Sequence, residues 1–381
     1  MTITIKKVCF IGAGTMGCFN SLLASAAGYE CVIYDPFEEA LENRSNNQAK
    51  LADFLNHENF FKGVDVNTAI KKIYDCSDLK LALDGADLIS ESIPENLELK
   101  TKLLQKLEGL VGKKTIITTN TSGLSLEALS NQINPRYQFA AMHFHLGSRL
   151  VDIVRGTHTS EETIISIKTF VETLGCSGII YKNRNSKYAL NPMLGALTTQ
   201  SMLLVIEGRY SIEEIDGAWK NANDSKLGPF GIMNMLGLDV IKNAWEEQDE
   251  ESRLIDHKEK ILKHLSLYID KNNLGIKTGE GFLNHSNINI SNDQFNYENI
   301  KQDLYIGIIE ASLVLLSDGI LEKDAINNAW TYGTNLQKGP FDILDEIGVE
   351  RFKKLYQEWV DLEYISNKSY ELVSDVISNL K

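Results

Sequence analysis

Through roughly the first 180 residues, short apolar runs alternate with longer stretches in which apolar residues recur every three or four positions. The runs at 6–11 (KKVCFI), 30–35 (ECVIYD), 86–91 (ADLISE), 114–119 (KTIITT), 138–144 (QFAAMHF) and 177–181 (SGIIY) predict strands. The stretches at 15–28, 37–55, 96–111 and 160–174 predict helices, the last opening on SEET, a variant of the capping box. Near-continuous apolar strands separated by helices are what a parallel sheet covered on both faces requires. The pattern therefore predicts an α/β, Rossmann-type doubly wound domain over 1–185.

Beyond about residue 185 the strand signal fades while the helical period persists to the C-terminus, predicting an all-α region. That region repeats itself. LLVIEGRYSIEEIDGAWKNANDSKLGPFGIMNMLGLDVI (203–241) aligns without a gap on VLLSDGILEKDAINNAWTYGTNLQKGPFDILDEIGVERF (314–352). Gly208 and Gly319, Trp219 and Trp330, Gly228 and Gly339, and Gly237 and Gly348 all stand 111 residues apart. A constant offset over four features predicts two tandem helical repeats, 186–290 and 291–381, each burying its apolar face on the other. The Gly- and Asn-rich stretch 272–293 reads as their connector.

Chemistry enters at the first strand. KKVCFIGAGTMG closes on Gly12, Gly14 and Gly17, a helical pattern follows, and the next strand ends on Asp35. A lone GxGxxG says little, but at a strand-to-helix turn with an acid 18 residues beyond the last glycine it predicts a dinucleotide site. Glycine lets the backbone turn tightly, approach a pyrophosphate and pack helix on strand, with helix amides aimed at the phosphates. Asp35 would accept from both ribose hydroxyls and repel a 2′-phosphate, and no Arg follows it directly, so NAD is expected rather than NADP. A glycine turn beside a surface aspartate is the plainer alternative.

Composition narrows the class. The formal net charge of −14 argues against nucleic acid and anionic membrane surfaces as partners, since phosphate binding needs clustered Lys and Arg. The five cysteines show no CxxC pair or His spacing suited to zinc, so no metal site is expected and the thiols read as reduced core residues. The N-terminus runs into a strand pattern without a cleavable signal, and the apolar runs are too short for a membrane span. The expected location is cytoplasmic.

Three further segments, SESIPENLELK (90–100), TNTSGLSLEALS (119–130) and MHFHLGSRLVDIVRG (142–156), follow the glycine fingerprint and precede GPFGIMNMLGLD and GIKTGEGF. In this order they resemble the L-3-hydroxyacyl-CoA dehydrogenase family, over essentially the whole chain. The last 80 or so residues resemble the extra C-terminal repeat of some members. The resemblance implies an NAD-dependent 3-hydroxyacyl-CoA dehydrogenase and an acyl-CoA substrate. It places Ser122 on the substrate oxygen together with Asn191, Asn120 at the nicotinamide ribose, and Glu95 and Lys100 in the loop and helix over the cofactor. Thr15 and Met16 fall with the glycines in the cofactor turn. Taken alone, Ser122 could cap the short helix after it, and Glu95 and Lys100 could be solvent-facing charges. Before Asn191 the chain reads NSKYAL where the family has a Pro-Gly-Phe stretch, so the wall of the substrate channel is expected to differ.

His143 matches the family's catalytic histidine and ends a predicted strand at the edge where doubly wound proteins bind ligands. A histidine suits the removal of a hydroxyl proton because its unperturbed pKa lies near working pH. A core histidine is the alternative. A catalytic imidazole also needs a carboxylate to fix its tautomer, and where the family has LVEV this chain has LVDI, with Asp152. Aspartate is one methylene shorter, but the connecting loop is shorter too, and the two changes are expected to compensate. His145, with no counterpart in the family, is expected to serve structure or contact solvent. Arg149 could meet a carboxylate or phosphate, or be solvated. The altered loop raises two further possibilities, a dehydrogenase for another 3-hydroxy acid, free or carrier-bound, and a non-catalytic NAD-binding homologue. Members with one C-terminal unit commonly dimerise through it, so both a monomer and a homodimer fit the tandem arrangement.

Overall fold

The computed structural model describes residues 3–56, 60–131, 133–134, 137–181, 188–248, 254–283 and 297–379. The expected boundaries at 185 and 290, and the connector beyond residue 283, lie outside the described residues. The chain divides into two compact units, Met1–Tyr188 with Tyr332–Asn335, and Ala189–Thr331 with Leu336–Lys381.

In the first unit eight strands form one sheet: β1 (Lys7–Ile11), β2 (Glu30–Tyr34), β3 (Ile73–Cys76), β4 (Leu88–Glu91), β5 (Ile116–Thr119), β6 (Phe139–Phe144), β7 (Leu150–Arg155) and β8 (Ser177–Tyr181). They lie in the order β3-β2-β1-β4-β5-β6-β7-β8. Helices α1 (Thr15–Ala26), α2 (Glu38–Asn56), α3 (Val66–Lys71), α4 (Leu79–Leu83), α5 (Leu97–Glu108), α6 (Leu126–Ser130) and α7 (Glu161–Thr173) connect them. The apolar pattern predicts six of the strands. It misses β3, a four-residue edge strand with two exposed positions, and β7, whose apolar run is broken by a charge at Asp152. The sheet is also not wholly parallel. Six strand pairs are, while β6 and β7 run antiparallel. Strands β4, β5 and β6 are buried at every position, as coverage on both faces demands.

The strand order reverses at β1, flanked by β2 and β4, and such a switch point opens a crevice outside the carboxyl ends of the strands. The glycine turn lies there. Gly12 has φ +102°, and a Cβ on it would sit 2.7 Å from the Ser92 carbonyl oxygen. A Cβ on Gly17 would lie 1.8 Å from the Gly12 carbonyl oxygen, so the first turn of α1 can pack on β1 only through glycine.

A buried ion pair ties the next strand ends together. Glu91, at the end of β4, is fully buried, and Lys100 of α5 reaches back to place Nζ 2.6 Å from its Oε1. The Thr119 hydroxyl at the end of β5 donates to the other oxygen at 2.6 Å, and the Ile93 amide donates to Oε1 at 2.8 Å.

Among its described residues the second unit has helices and no named strand: α8 (Leu190–Ile206), α9 (Ile212–Asn223), α10 (Pro229–Leu236), α11 (Leu238–Glu246), α12 (Lys258–Ile269), α13 (Tyr297–Ser317), α14 (Lys323–Thr334), α15 (Pro340–Ile347), α16 (Val349–Asp361) and α17 (Asn367–Asn379). Helices α14, α15 and α16 begin 111 residues after α9, α10 and α11. Trp219 and Trp330, both buried, meet edge to face with ring centroids 6.4 Å apart. The recurring Gly-Pro-Phe has a physical cause. Asp216 accepts from the Phe230 and Gly231 amides at 2.8 and 3.0 Å, capping α10, and Asn327 accepts from the Phe341 amide at 2.9 Å, capping α15. A Cβ on Gly228 or Gly339 would come within 2.3 Å of the capping side chain.

Two outcomes are expected. Burial pushes the Asp216 carboxyl up to about 6, against its two amide bonds. An acid whose folded value lies above its unfolded one stabilises the fold below the unfolded value and loses that contribution as pH rises through the folded one. Asp216→Asn, which installs the residue used at 327, should therefore match the wild type near pH 4 and melt higher above about pH 7, read by thermal unfolding across that range. Lys100→Met strands the Glu91 carboxylate without its partner and should cost about 3–5 kcal/mol in denaturant unfolding, with Glu91→Gln in the same chain restoring most of it.

Candidate active site

At the carboxyl ends of β1 and β2 the structure brings Gly12, Gly14, Thr15, Met16, Gly17 and Asp35 together. Gly14 is the N-cap of α1 and contributes no side-chain cap, and the first turn of α1 carries no acidic residue. The leading amides of the helix are thus left for an anion. A Cβ on Gly14 would meet nothing within 4 Å, so the backbone here faces open space. Asp35 is half-buried at the end of β2, held by the Ala13 amide at 2.8 Å on Oδ2 and by the Phe37 amide at 3.0 Å on Oδ1. It is fixed to the turn rather than loose on the surface. These residues fit a dinucleotide: amides and open backbone for the pyrophosphate, and a carboxylate for a ribose.

The ends of β4 and β5 carry the next group. Asn120 receives the Phe144 amide on Oδ1 at 2.8 Å and donates its own amide to the Glu91 carbonyl at 2.8 Å, joining the tips of three strands. Glu95 gathers the turn after β5, its Oε1 accepting from the Thr121 hydroxyl at 2.5 Å, the Ser122 amide at 3.0 Å and the Gly123 amide at 2.9 Å. Burial raises the Glu95 carboxyl, but the bonds from Thr121 and Gly123 and the charge of Lys100 outweigh it and hold the group below its ordinary value. Glu95 is therefore neither a free surface charge nor a loose loop residue. Lys100 is not the solvent-facing charge its position alone allows: it is 1 % exposed, and its ammonium is taken by Glu91, by the Ile93 carbonyl at 3.2 Å and by Glu95 at 3.4 Å. It props the 91–95 loop from beneath. Ser122 itself is exposed, and the cap of α6 belongs to Ser125, which accepts from the Ala128 amide at 3.2 Å. The capping alternative for Ser122 does not hold.

His143, the penultimate residue of β6, is buried and faces Asp152 directly across the antiparallel ladder. Its Nδ1 lies 3.2 Å from Asp152 Oδ2. The pair is set by strand register, which in a hairpin is itself fixed by the short connection 145–149. His145 departs further from expectation: its Nε2 is 2.7 Å from the same Asp152 oxygen, and its ring centroid is 4.4 Å from that of His143. Arg149 donates to the Phe60 and Gly175 carbonyls at 2.6 and 3.2 Å and lies 4.4 Å over the Phe60 ring.

Two tyrosines escape the sequence reading. Tyr181, at the end of β8, donates to Asp152 Oδ1 at 2.6 Å. Tyr188 stacks on His143 with centroids 4.5 Å apart and planes 8° from parallel, and its hydroxyl donates to the Thr121 carbonyl at 2.7 Å. Neither lies in a motif, and only the parity of β8 against β7 hints at Tyr181. Burial lowers the pKa of His143, the nearby His145 ring adds to this, and the hydrogen bond to Asp152 opposes it. Burial raises the Asp152 carboxyl, and the bonds from both histidines more than reverse that, so it stays ionised. Asn191, exposed in the first turn of α8, belongs to the second unit. All five cysteines are buried and unpaired, and burial pushes Cys9 and Cys31 up to about 12, away from reactivity. Among the described residues, no helix is long and apolar enough to cross a membrane.

Comparison with known proteins agrees with this geometry. Residues 7–184 match the family model "3-hydroxyacyl-CoA dehydrogenase, NAD binding domain", and residues 188–285 match "3-hydroxyacyl-CoA dehydrogenase, C-terminal domain". The mitochondrial hydroxyacyl-coenzyme A dehydrogenase of Sus scrofa is 30% identical over 294 residues, covering 74% of this chain and 92% of that protein. A probable 3-hydroxybutyryl-CoA dehydrogenase of Bacillus subtilis is 28% identical, covering 74% of this chain and 98% of its own. The crystal structure of 3-hydroxybutyryl-CoA dehydrogenase from Escherichia coli shares the fold over 96% of both chains, with a TM-score of 0.78 at 18% identity. With the matched models covering most of its length, the chain belongs to the 3-hydroxyacyl-CoA dehydrogenase family and is an NAD-dependent oxidoreductase.

Proposed function

We propose that the protein catalyses the reversible oxidation of a 3-hydroxyacyl-CoA, such as 3-hydroxybutyryl-CoA, at C3, with His143 as general base and, in reverse, general acid. The observation that carries this reading is the buried pair His143 and Asp152 on facing strands, with Ser122 exposed in the turn after β5. Bound NAD supplies the acceptor for the hydride from C3. His143 takes the hydroxyl proton. Because Nδ1 is engaged by Asp152, the nitrogen left for the substrate is Nε2, and the lowered pKa keeps it unprotonated near neutral pH. As the proton arrives, the imidazolium forms against an ionised carboxylate whose other oxygen is held by Tyr181. Ser122 holds the substrate oxygen, while Asn120 and Glu95 align the nicotinamide end, Glu95 by fixing the turn that carries Ser122.

The same reading covers the second unit. The 111-residue offset of three consecutive helices, and the matched caps Asp216 and Asn327, support two copies of one helical repeat. The matched C-terminal family domain lies in the first copy.

Oxidation of NADH by acetoacetyl-CoA tests the reading, and turnover only with a free or differently carried 3-oxo acid would move the assignment to a related substrate. His143→Ala should lower kcat by at least about two orders of magnitude while NADH binding, followed by fluorescence, stays nearly intact. Asp35→Ala should narrow the preference for NAD over NADP, measured as the ratio of kcat/KM for the two cofactors, because the carboxylate that excludes a 2′-phosphate is gone.

A further inference from the structure

Asp152 is a shared acceptor. Its Oδ1 takes the Tyr181 hydroxyl at 2.6 Å, and its Oδ2 takes His145 Nε2 at 2.7 Å and His143 Nδ1 at 3.2 Å. The bond to His143 is the longest of the three. The carboxylate of this short side chain is therefore located chiefly by Tyr181 and His145, and His143 meets it where they hold it. The backbone cannot do this alone: the β6–β7 ladder fixes the Asp152 Cα opposite His143 but leaves the carboxylate free to rotate.

We propose that His145 is a positioning residue of the dehydrogenase site, donating from Nε2 to Asp152 so that the carboxylate meets His143, and extending to lower pH the range in which His143 works as a base. The proposal rests on the assigned dehydrogenase activity.

Its chemistry follows from the shared oxygen. An ionised Asp152 accepts from both rings, so His143 carries its proton on Nδ1 and His145 carries its own on Nε2. A proton gained by His143 places charge 4.4 Å from a ring whose N–H already engages the same carboxylate, so the imidazolium must share Asp152 with a second donor. Besides Asp152 and His145, the groups facing His143 are Glu95, whose carboxylate favours the imidazolium, and the hydroxyl-bearing rings of Tyr188 and Tyr181. Burial pushes the Tyr188 hydroxyl well above its usual range, so it stays neutral. Removing His145 thus acts twice in one direction on the basicity of His143: the opposing ring is lost, and Asp152 loses a competing donor. It acts the other way on turnover, because the carboxylate is no longer held.

The test is the oxidation of 3-hydroxybutyryl-CoA by NAD across pH, for the wild type, His145→Ala and His145→Gln. EDTA is present, since the donor atoms of His143, His145 and Asp152 lie within 4.8 Å of one another and could take up a stray cation. His145→Ala should lower kcat between about tenfold and a hundredfold with KM and NADH binding little changed, and the acid limb of kcat/KM should move to higher pH. His145→Gln, which offers an N–H donor at a similar reach, should recover most of the turnover. If His145→Ala does not fold, His145→Phe takes its place in the comparison. With an active wild type, any other pattern overturns the proposal, above all an unchanged kcat and an unmoved acid limb in the variant lacking the donor. An inactive wild type overturns the assigned activity instead.

Discussion

The antiparallel ladder between β6 and β7 sets the Cα of His143 opposite that of Asp152, and the functional end of the first unit is organised around that pairing. Ladder geometry is far stiffer than a loop, so a carboxylate one methylene shorter than the family's glutamate still comes within hydrogen-bond distance of the imidazole. The surroundings complete what the ladder starts. Tyr181 reaches the second Asp152 oxygen from β8, whose parallel register on β7 puts Ile179 beside Asp152 and Tyr181 two residues further along the same face. Tyr188 covers the outer face of the imidazole.

Buried charge is handled by pairing throughout the unit. Glu91 and Lys100 form one such pair at the centre of the sheet edge, and Asp152 with its three donors forms another. In each case every carboxylate oxygen has a donor, the condition under which an ion can stay in a low-dielectric interior. Glu95 extends the principle to a turn. Its carboxylate takes the Thr121 hydroxyl and the backbone amides of residues 122–124 and so fixes the place from which Ser122 is presented.

In the second unit the same cap is built twice, with different chemistry. Asp216 and Asn327 hold the amides of α10 and α15, and glycine before each proline leaves room for the capping side chain. The amide does this without a charge to bury at any pH, whereas the acid buries one as it ionises, so the Asp216 cap is sensitive to pH.

The sequence by itself determined six of the eight strands and the glycine turn. Apolar runs of period two and 3.6, glycines that only a tight turn explains, and an acid at the end of the second strand carry their meaning locally, so Gly12, Gly14, Gly17 and Asp35 were legible without coordinates. Ser122, His143 and Asn191 stand out only through likeness to a family. The burial of Lys100, the partners of Glu95 and the shared Asp152 were decided only by tertiary structure. Each depends on side chains that approach from different strands and helices, and no spacing along the chain encodes that. His145 shows the limit most clearly. Its position two residues after His143 suggested a shared face, but whether it met solvent or the buried carboxylate depended on the return of β7, an antiparallel strand whose apolar pattern is interrupted by that carboxylate.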